Sequence, residues 1–439
     1  MTRPTSSNGI SRYIRGSSLF RTAFGSFSLK VIAGGATFVS GILLARLLGP
    51  KEFGIYAIVM AAVTLAGSVA ALGLPMLITR EVARYQANEQ WALLKGVMLT
   101  THRWTLTAAA IFVSIGLLMV MADWPIADVS WSLAAPALII IPLLALTLVR
   151  AASLRGLHWV ILADIPDLML RPILLLIIAG LVYMLVGSAT AAEAMQLQAV
   201  CFAVAFVIGL VFLLKKTPAA VKSVAADHHH AHWIREAQPF FWIAVVFLVD
   251  SQVGLYLLGL LAGPEQAGIM QVALQLVTLV VIGLAAVNSP LQPRLSAALA
   301  RQKTDEAQKL LTEAARLGTG VATVAALVLI PFAPQIVALF GPEYQEAANV
   351  LRIVVLGQLI NAMAGSCGIT LNAGGYQSIT LLGVIVALIV NSILCWLLIP
   401  HWQALGAAVA LSASLLVWNV MLAVAARRKL GLYTPIRFS

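Results

Sequence analysis

The sequence predicts an all-α polytopic membrane protein with about twelve transmembrane helices. Hydrophobic residues make up 61% of the 439 residues and charged residues only 10%, which is too apolar for a soluble fold of this size. The hydrophobic residues form long runs, and each run can cross a hydrocarbon core of about 30 Å at about 1.5 Å per residue. Lipid offers the backbone no hydrogen-bond partners, so the runs are predicted to be helices.

The runs follow one another with short connections. In chain order, the predicted spans are residues 24–48, 53–78, 97–121, 131–149, 166–187, 194–214, 239–261, 267–290, 318–340, 348–372, 376–399 and 404–426. Gly49–Pro50 and Gly263–Pro264 predict turns after spans one and seven.

Positive charge alternates between connections and so predicts the orientation. Twenty-three of the 28 Lys and Arg residues lie in the N-terminal arm, in the connections after spans two, four, six and eight, and in the tail. The opposite connections hold one basic residue, Lys51, beside seven acidic residues. Because basic loops stay on the cytoplasmic side during insertion, both termini are predicted to be cytoplasmic. The basic residues behind the net charge of +11 are therefore expected to interact with anionic membrane lipids and not with nucleic acid.

An internal repeat divides the spans into two sets of six. A shift of 214 residues aligns 43–65 with 257–279 and pairs the Gly-Pro-x-x-x-Gly motif of each segment. Both sets start on the same side, which predicts parallel repeats about an axis along the membrane normal, as in carriers with a central site. The predicted organisation is a basic cytoplasmic arm (1–23), a six-helix bundle (24–214), a cytoplasmic linker (215–238), a second bundle (239–426) and a cytoplasmic tail (427–439).

Two cytoplasmic segments have a distinctive composition. Residues 291–317 are predicted to form an amphipathic helix on the membrane surface. The cluster at 227–232, which includes His228 and His232, is interpreted as part of a flexible, solvated linker, because a zinc site needs spaced ligands held by a fold. The three cysteines lie inside spans, so we expect no disulfide, metal or cofactor.

Asp250 is the one charge near the middle of a predicted span. An isolated ion at that depth costs roughly 2.5–3.5 kcal/mol on insertion scales, so it is expected to face the bundle interior. We interpret Asp250 as a coupling or gating group. A structural ion pair and a permanently protonated carboxyl are the alternatives.

Three basic residues inside spans are candidates for a substrate cavity. Lys30 lies on a face of small residues in span one, and Arg171 and Arg352 lie a turn or two inside spans five and ten. Guanidinium groups bind phosphate in a bidentate manner. The competing interpretations are snorkelling of Lys30 to the headgroups, and pairing of the arginines with Asp167 or Glu346.

Three amides complete the set of cavity candidates. Gln271 and Gln275 belong to a polar stripe on span eight, and Asn361 to another on span ten. Amides can bind sugar hydroxyls, but inside membranes they also join helices to each other. We find no motif for nucleotide binding or nucleophilic catalysis, so no enzyme activity is predicted.

Four stretches resemble the Wzx-type oligosaccharide flippases of polysaccharide biosynthesis. They are ILLARLLGPKEFGIY (42–56), GLPMLITREVARY (73–85), VFLVDSQVGLYLLGLLAGPEQAG (246–268) and LFGPEYQEAANVLRIVVLGQLINAMAGSCGITLNAGGYQS (339–378). The family shares a superfamily with the multidrug and toxin extruders (MATE) and the lipid II flippases. The resemblance implies a MATE-like alternating-access fold, and the family's motifs include Arg46, Arg80, Asp250 and Arg352.

The resemblance also implies a function. It predicts transport of an undecaprenyl-pyrophosphate-linked oligosaccharide across the bacterial inner membrane, with a proton or sodium gradient and the polysaccharide polymerase machinery as further partners. A cation-coupled multidrug extruder of the same superfamily is the main alternative, and a membrane polymerase or ligase is a third. Short outer connections, which leave no room for an extramembrane catalytic domain, count against the third.

Overall fold

The computed structural model describes residues 8–122 and 130–436, with side chains from Ala33 onward except those of residues 239, 240 and 243. Within these ranges the secondary structure is helical, without strands. Ten helices are long and apolar enough to cross a membrane. Two of them contain a break, at Gly49 and at Gln403, and count as two apolar segments each, which agrees with the prediction of about twelve.

The helices form two halves, which we define as the N half (residues 8–216) and the C half (residues 239–436), joined by a linker (residues 217–238) that includes the first turns of α9. The N half and the linker contain α1 (Asn8–Ala70), α2 (Leu74–Ala87), α3 (Trp91–Met121), α4 (Trp131–Gly156), α5 (Val160–Asp164), a π-helical turn (Ile165–Leu170), α6 (Arg171–Leu185), α7 (Ala191–Lys216) and α8 (Ala219–Ser223). The C half contains α9 (His230–Ala262), α10 (Pro264–Ala300), α11 (Thr304–Leu329), α12 (Ala333–Val337), a 3₁₀ turn (Pro342–Tyr344), α13 (Ala347–Ala364), α14 (Cys367–Ala373) and α15 (Gln377–Leu430).

Several predicted boundaries are wrong, and turn residues explain why. Span two ends at Ala70 instead of continuing to residue 78, because Leu72 and Gly73 adopt left-handed backbone angles before Pro75 starts α2. Span nine ends at Leu329 and is followed by the short helix α12. Span ten is divided between α13 and α14, with Gly365 at a φ of 76°.

The segment 291–317 does not form a separate surface helix. It comprises the end of α10, a turn at residues 301–303 and the start of α11, so two spanning helices extend and meet in a hairpin. Leu291, Leu295 and Leu311 are buried in the same apolar cluster of this hairpin. The amphipathic pattern therefore reflects packing between two helices, which has the same 3.6-residue period as packing onto a membrane surface.

The two Gly-Pro motifs have nearly identical backbone geometry. Gly49 has φ and ψ of 71° and 171°, and Gly263 has 88° and 170°. These angles are accessible to glycine and strained for other residues, and the following proline then begins the next helical segment. The repeat found in the sequence is thus a repeat of conformation. We call the end of the molecule that contains both motifs the Gly-Pro end, and the opposite end, where residues 217–238 connect the halves, the linker end.

The halves meet along α1 and α10, which pack against each other. Near the Gly-Pro end, a Cβ atom at Gly54 would overlap the carbonyl oxygen of Pro264, and a Cβ at Gly268 would overlap that of Pro50. The Tyr344 hydroxyl also donates to the Ala45 carbonyl across the halves at 3.0 Å. These contacts hold the Gly-Pro end closed, because backbones touch there without intervening side chains.

Residues 227–232 are exposed, as predicted for a solvated linker, but the linker is also docked on the N half through several contacts. The Asp227 amide donates to the Ala92 carbonyl at 3.0 Å, and Thr100 bonds the His228 ring at 3.0 Å. The fully buried Trp233 donates its indole N–H to the Tyr85 hydroxyl at 3.1 Å. The rings of His228 and His230 stack on each other, with their centroids 5.1 Å apart.

The C-terminal tail also folds back, onto the linker end of the C half. The Gln308 amide makes two hydrogen bonds of 2.8 Å to the Tyr433 backbone, one to its N–H and one to its carbonyl. Thr434 is buried and its carbonyl occupies the space left by the absent side chain of Gly365. The residues after α15 are therefore part of the packed C half as far as residue 436.

Candidate functional site

A cavity of about 620 Å³ lies between the two halves. Its wall is built from α1 and the Arg171 region of the N half, from α7, and from α9 and α10 of the C half. The polar side chains of the wall are mostly neutral amides and hydroxyls: Thr37, Ser40, Tyr56, Thr64, Gln198, Ser251, Gln252, Gln271, Gln275 and Thr278. Such a wall can hydrogen-bond a ligand that carries many hydroxyl groups.

Two charged side chains, Arg171 and Asp167, line the cavity among the described residues. The Arg171 guanidinium lies over the Phe202 ring with its Cζ atom 4.4 Å from the centroid, and its Nε donates to the Asp167 carbonyl at 3.4 Å. Within the described part of the chain no carboxylate oxygen lies within ion-pair distance of Arg171. The predicted alternative of a pair with Asp167 is thus absent, and Arg171 keeps donors for a ligand.

Asp167 is paired with Arg150 instead. Arg150 Nη2 lies 2.5 Å from Asp167 Oδ2, and the Arg150 side chain is fully buried. The charge alternation assigned Arg150 to the cytoplasmic connection after span four, but α4 continues to Gly156 and carries it inside the N half. A Cβ at Gly209 of α7 would overlap the guanidinium, so this glycine makes room for the buried charge.

The π-helical turn Ile165–Leu170 positions these charges. It places Asp167 on the cavity wall and directly precedes Arg171, so both side chains reach the same space. A second ion pair, between Arg155 and Asp164 at 2.7 Å, anchors the start of the turn. π-Helical turns inside longer helices are frequent at functional sites.

Gln271 and Gln275, two of the candidates for a substrate cavity, both line this cavity. Gln275 Nε2 also donates to the Phe38 carbonyl at 3.0 Å and is within 3.3 Å of the Thr37 carbonyl. A Cβ at Gly41 would overlap this amide, so α1 and α10 approach closely here. Gln275 therefore joins the two halves, which was the alternative interpretation of the stripe.

The other cavity candidates lie elsewhere. Arg352 donates to the Ile330 carbonyl at 3.2 Å and to Asn349 at 2.8 Å, and is not part of the central wall. Asn361 lines a separate cavity of about 150 Å³ inside the C half and accepts a 2.8 Å hydrogen bond from Asn419. The side chain of Lys30 lies outside the described side chains.

Asp250 lies on α9 and is partly buried, one turn from Gly254, which faces Asn391 of α15. It has no hydrogen bond or ion pair with any described residue. Its neighbours Ser251 and Gln252 line the central cavity, whereas Asp250 is not among the lining residues. No three His, Cys, Asp or Glu side chains among the described residues are arranged to hold a metal ion.

Sequence reasoning missed most of the polar residues of the wall, including Tyr56, Gln198 and Asp167. Tyr56 and Gln198 are single polar residues within apolar helices. Their spacing in the sequence does not distinguish them from polar residues that lie outside the cavity. Asp167 was considered only as a partner for Arg171. A signal existed in the two prolines that flank it, Pro166 and Pro172, because helices with closely spaced prolines often deviate from α geometry.

Family comparison agrees with this architecture. The family model described as "Polysaccharide biosynthesis protein" matches residues 19–299, well over half of the chain. The chain belongs to this family. A second model, MatE, matches residues 240–397 of the C half, and no curated protein matches the chain significantly.

Solved structures share the fold at low sequence identity. An inward-facing multidrug resistance MATE family transporter of the MOP superfamily superposes with a TM-score of 0.75 at 12% identity, covering 92% of this chain and 98% of that chain. The outward-facing form of such a transporter gives 0.68 at 12% identity, covering 94% and 95%. The lipid II flippase MurJ in an inward closed conformation gives 0.71 at 14% identity, covering 91% and 87%.

This member of the polysaccharide biosynthesis family therefore shares its fold with transporters and a flippase of known structure, and its ten long apolar helices make it a multi-pass membrane protein. The solved structures that share its fold include multidrug transporters and a lipid II flippase.

Proposed function

We propose that the protein is a flippase that moves a polyprenyl-pyrophosphate-linked oligosaccharide across the bacterial inner membrane for surface polysaccharide synthesis. The single observation that carries the proposal is the Arg171 guanidinium on the wall of a cavity between the halves whose other polar side chains are mostly neutral amides and hydroxyls. A cation without a carboxylate partner suits an anionic headgroup, and the surrounding amides and hydroxyls suit sugars. The polyprenyl tail remains in the lipid.

The family match supports the same assignment, since its model describes polysaccharide biosynthesis proteins. In this proposal the two halves rock about their contact along α1 and α10, and the cavity opens alternately to the two sides. The termini and the linker end are cytoplasmic, following the distribution of basic residues. Reporter fusions after Lys216 and after Arg428 then read as cytoplasmic, and fusions after Gly187 and after His401 as external.

The test compares two arginines in proteoliposomes that contain a pyrophosphate-linked glycolipid. Arg171→Gln removes a charge-assisted contact worth about 1.5–3 kcal/mol, so translocation falls about 10-fold to 100-fold. Arg352→Gln is the matched control, because Arg352 bonds only within the C half and its variant keeps the wild-type rate. Equal rates for the wild type and Arg171→Gln contradict the proposed role of Arg171.

A multidrug extruder is the second candidate. It is favoured by the MatE match to residues 240–397 and by Asp250, which has no partner among the described residues. A partly buried carboxylate without a partner suits a coupling ion or a cationic drug. Deletion of the gene separates the two functions. Loss of surface glycan, with lipid-linked oligosaccharide retained on the cytoplasmic leaflet, supports the flippase. Gradient-driven dye efflux with normal surface glycan supports the extruder.

A further inference from the structure

We propose that Gln198 binds the substituent next to the anomeric carbon of the sugar that carries the phosphate, and so makes the transporter selective for that sugar. This inference rests on the proposed flippase function and assigns one part of the central cavity to the first sugar of the cargo.

Gln198 is a buried amide with unused hydrogen-bonding capacity. Its side chain is 4% exposed, it lines the central cavity, and its Oε1 atom has no hydrogen-bond partner. The amide makes no hydrogen bond with any described residue. A buried polar atom without a partner costs about 1–3 kcal/mol, so such an atom in a cavity wall indicates a group supplied by a ligand.

The position of Gln198 fixes which part of a ligand it meets. It lies on α7 four residues before Phe202, and residues at this spacing are neighbours on one helix face with Cβ atoms about 5–6 Å apart. Phe202 carries the Arg171 guanidinium on its ring at 4.4 Å. A phosphate on Arg171 therefore places the next group of the same ligand beside Gln198.

The chemistry of the amide selects that group. An amide offers one acceptor atom and one donor atom, and a sugar hydroxyl or acetamido group can both donate and accept. A polyprenyl chain or an aromatic drug would bury the amide without satisfying it. In a sugar phosphate, the ring oxygen and the substituent on C2 are the polar groups next to the anomeric carbon. The ring oxygen can only accept, so the C2 substituent is the one that can donate to the unpartnered Gln198 Oε1.

The experiment measures a ratio of translocation rates for two synthetic lipids, a polyprenyl-pyrophosphate-linked hexose and its 2-deoxy analogue. The wild type is expected to move the hexose at least about 10-fold faster, because the analogue leaves the Gln198 amide unpaired. Gln198→Met keeps the shape and removes the amide, and its ratio is expected to approach one. Gln275→Met is the matched cavity variant, and its ratio stays at the wild-type value whatever its absolute rate, because the Gln275 amide is already bonded to α1.

The outcomes separate this inference from the proposed function. Equal wild-type rates for the two lipids, or an unchanged ratio in Gln198→Met, overturn the role of Gln198 while the flippase assignment stands. If the wild type moves neither lipid, the flippase assignment fails and the inference falls with it. Should Gln198→Met not reach the membrane, thermal stabilisation of the wild type by hexose 1-diphosphate and by its 2-deoxy analogue gives the same comparison, and equal stabilisation overturns the inference.

Discussion

Gly54 and Gly268 lie face to face where the two halves meet, and each makes room for the backbone of the other half's Gly-Pro motif. The ideal Cβ of Gly54 lies 2.9 Å from the Gly268 amide nitrogen, and that of Gly268 lies 3.1 Å from the Gly54 amide nitrogen. The two contacts are reciprocal, as expected about a two-fold axis. Equivalent positions of the internal repeat therefore form the closest approach between the halves.

This contact predicts that a side chain at Gly54 destabilises the closed Gly-Pro end. Gly54→Ala forces α1 and α10 apart, because the overlapping atom is a backbone carbonyl that cannot rotate away. We expect a loss of about 1–3 kcal/mol, measured as a lower midpoint of thermal unfolding in detergent. Gly35→Ala on the same helix is the control, since nothing lies within 4 Å of its Cβ. Equal midpoints for the two variants would contradict the close contact.

The buried pair of Arg150 and Asp167 predicts a large stability effect. Asp167→Asn leaves a fully buried guanidinium without its counter-ion, which costs about 3–5 kcal/mol. The double variant Arg150→Met with Asp167→Leu removes both charges and is expected to recover most of that loss. Asp164→Asn is a milder control, because its partner Arg155 is 43% exposed. Unfolding midpoints check the series, and a double variant as unstable as Asp167→Asn contradicts the pairing.

Replacement of Asp250 is expected to affect stability and transport differently. Because it has no partner among the described residues, Asp250→Asn is expected to leave the unfolding midpoint and membrane abundance unchanged. If Asp250 is the coupling or gating group, gradient-dependent transport in proteoliposomes falls at least about 10-fold, as expected for a required intramembrane charge. A drop in abundance supports a structural ion pair. Normal transport at normal abundance excludes the coupling role.

The docked linker predicts a pH dependence outside the membrane. Arg80 donates to Glu236 at 2.6 Å, and this hydrogen bond and charge hold the pKa of the Glu236 carboxyl below its ordinary value. Because the folded-state pKa is the lower one, the stabilisation is present above the ordinary Glu pKa of about 4.3 and is lost as the pH falls through the folded value. The midpoint difference between the wild type and Glu236→Gln should persist at pH 6–8 and vanish in acid.

The control for this series is Glu306→Gln. Glu306 pairs with Lys303 on an exposed turn, where an ion pair contributes about 0–1 kcal/mol. The contrary result is an unfolding midpoint of the wild type that exceeds that of Glu236→Gln by more in acid than at pH 6–8. That result would show that Glu236 does not stabilise the docked linker through its charge.

The sequence by itself determined the membrane fold, the number of crossing segments and the internal repeat. An apolar run of this length can satisfy its backbone hydrogen bonds in lipid only as a helix. The apolar helices can therefore be counted from the sequence without tertiary information. The Gly-Pro-x-x-x-Gly motif likewise predicted two equivalent turns, because Gly49 and Gly263 must adopt angles that other residues avoid. Of the residues selected for the cavity, Arg171, Gln271 and Gln275 do line it.

Only the tertiary structure decided which polar residues share that cavity. In an apolar helix the direction of a single polar side chain depends on which neighbouring helices pack around it, and periodicity carries no signal when nearly every position is apolar. Arg150 and Arg155 lie five residues apart on α4, yet one is buried against Asp167 and the other is largely exposed. For the same reason Gln198, which the sequence did not single out, lines the cavity, whereas the candidate Arg352 does not. Long-range packing, not local sequence, selected the cavity wall.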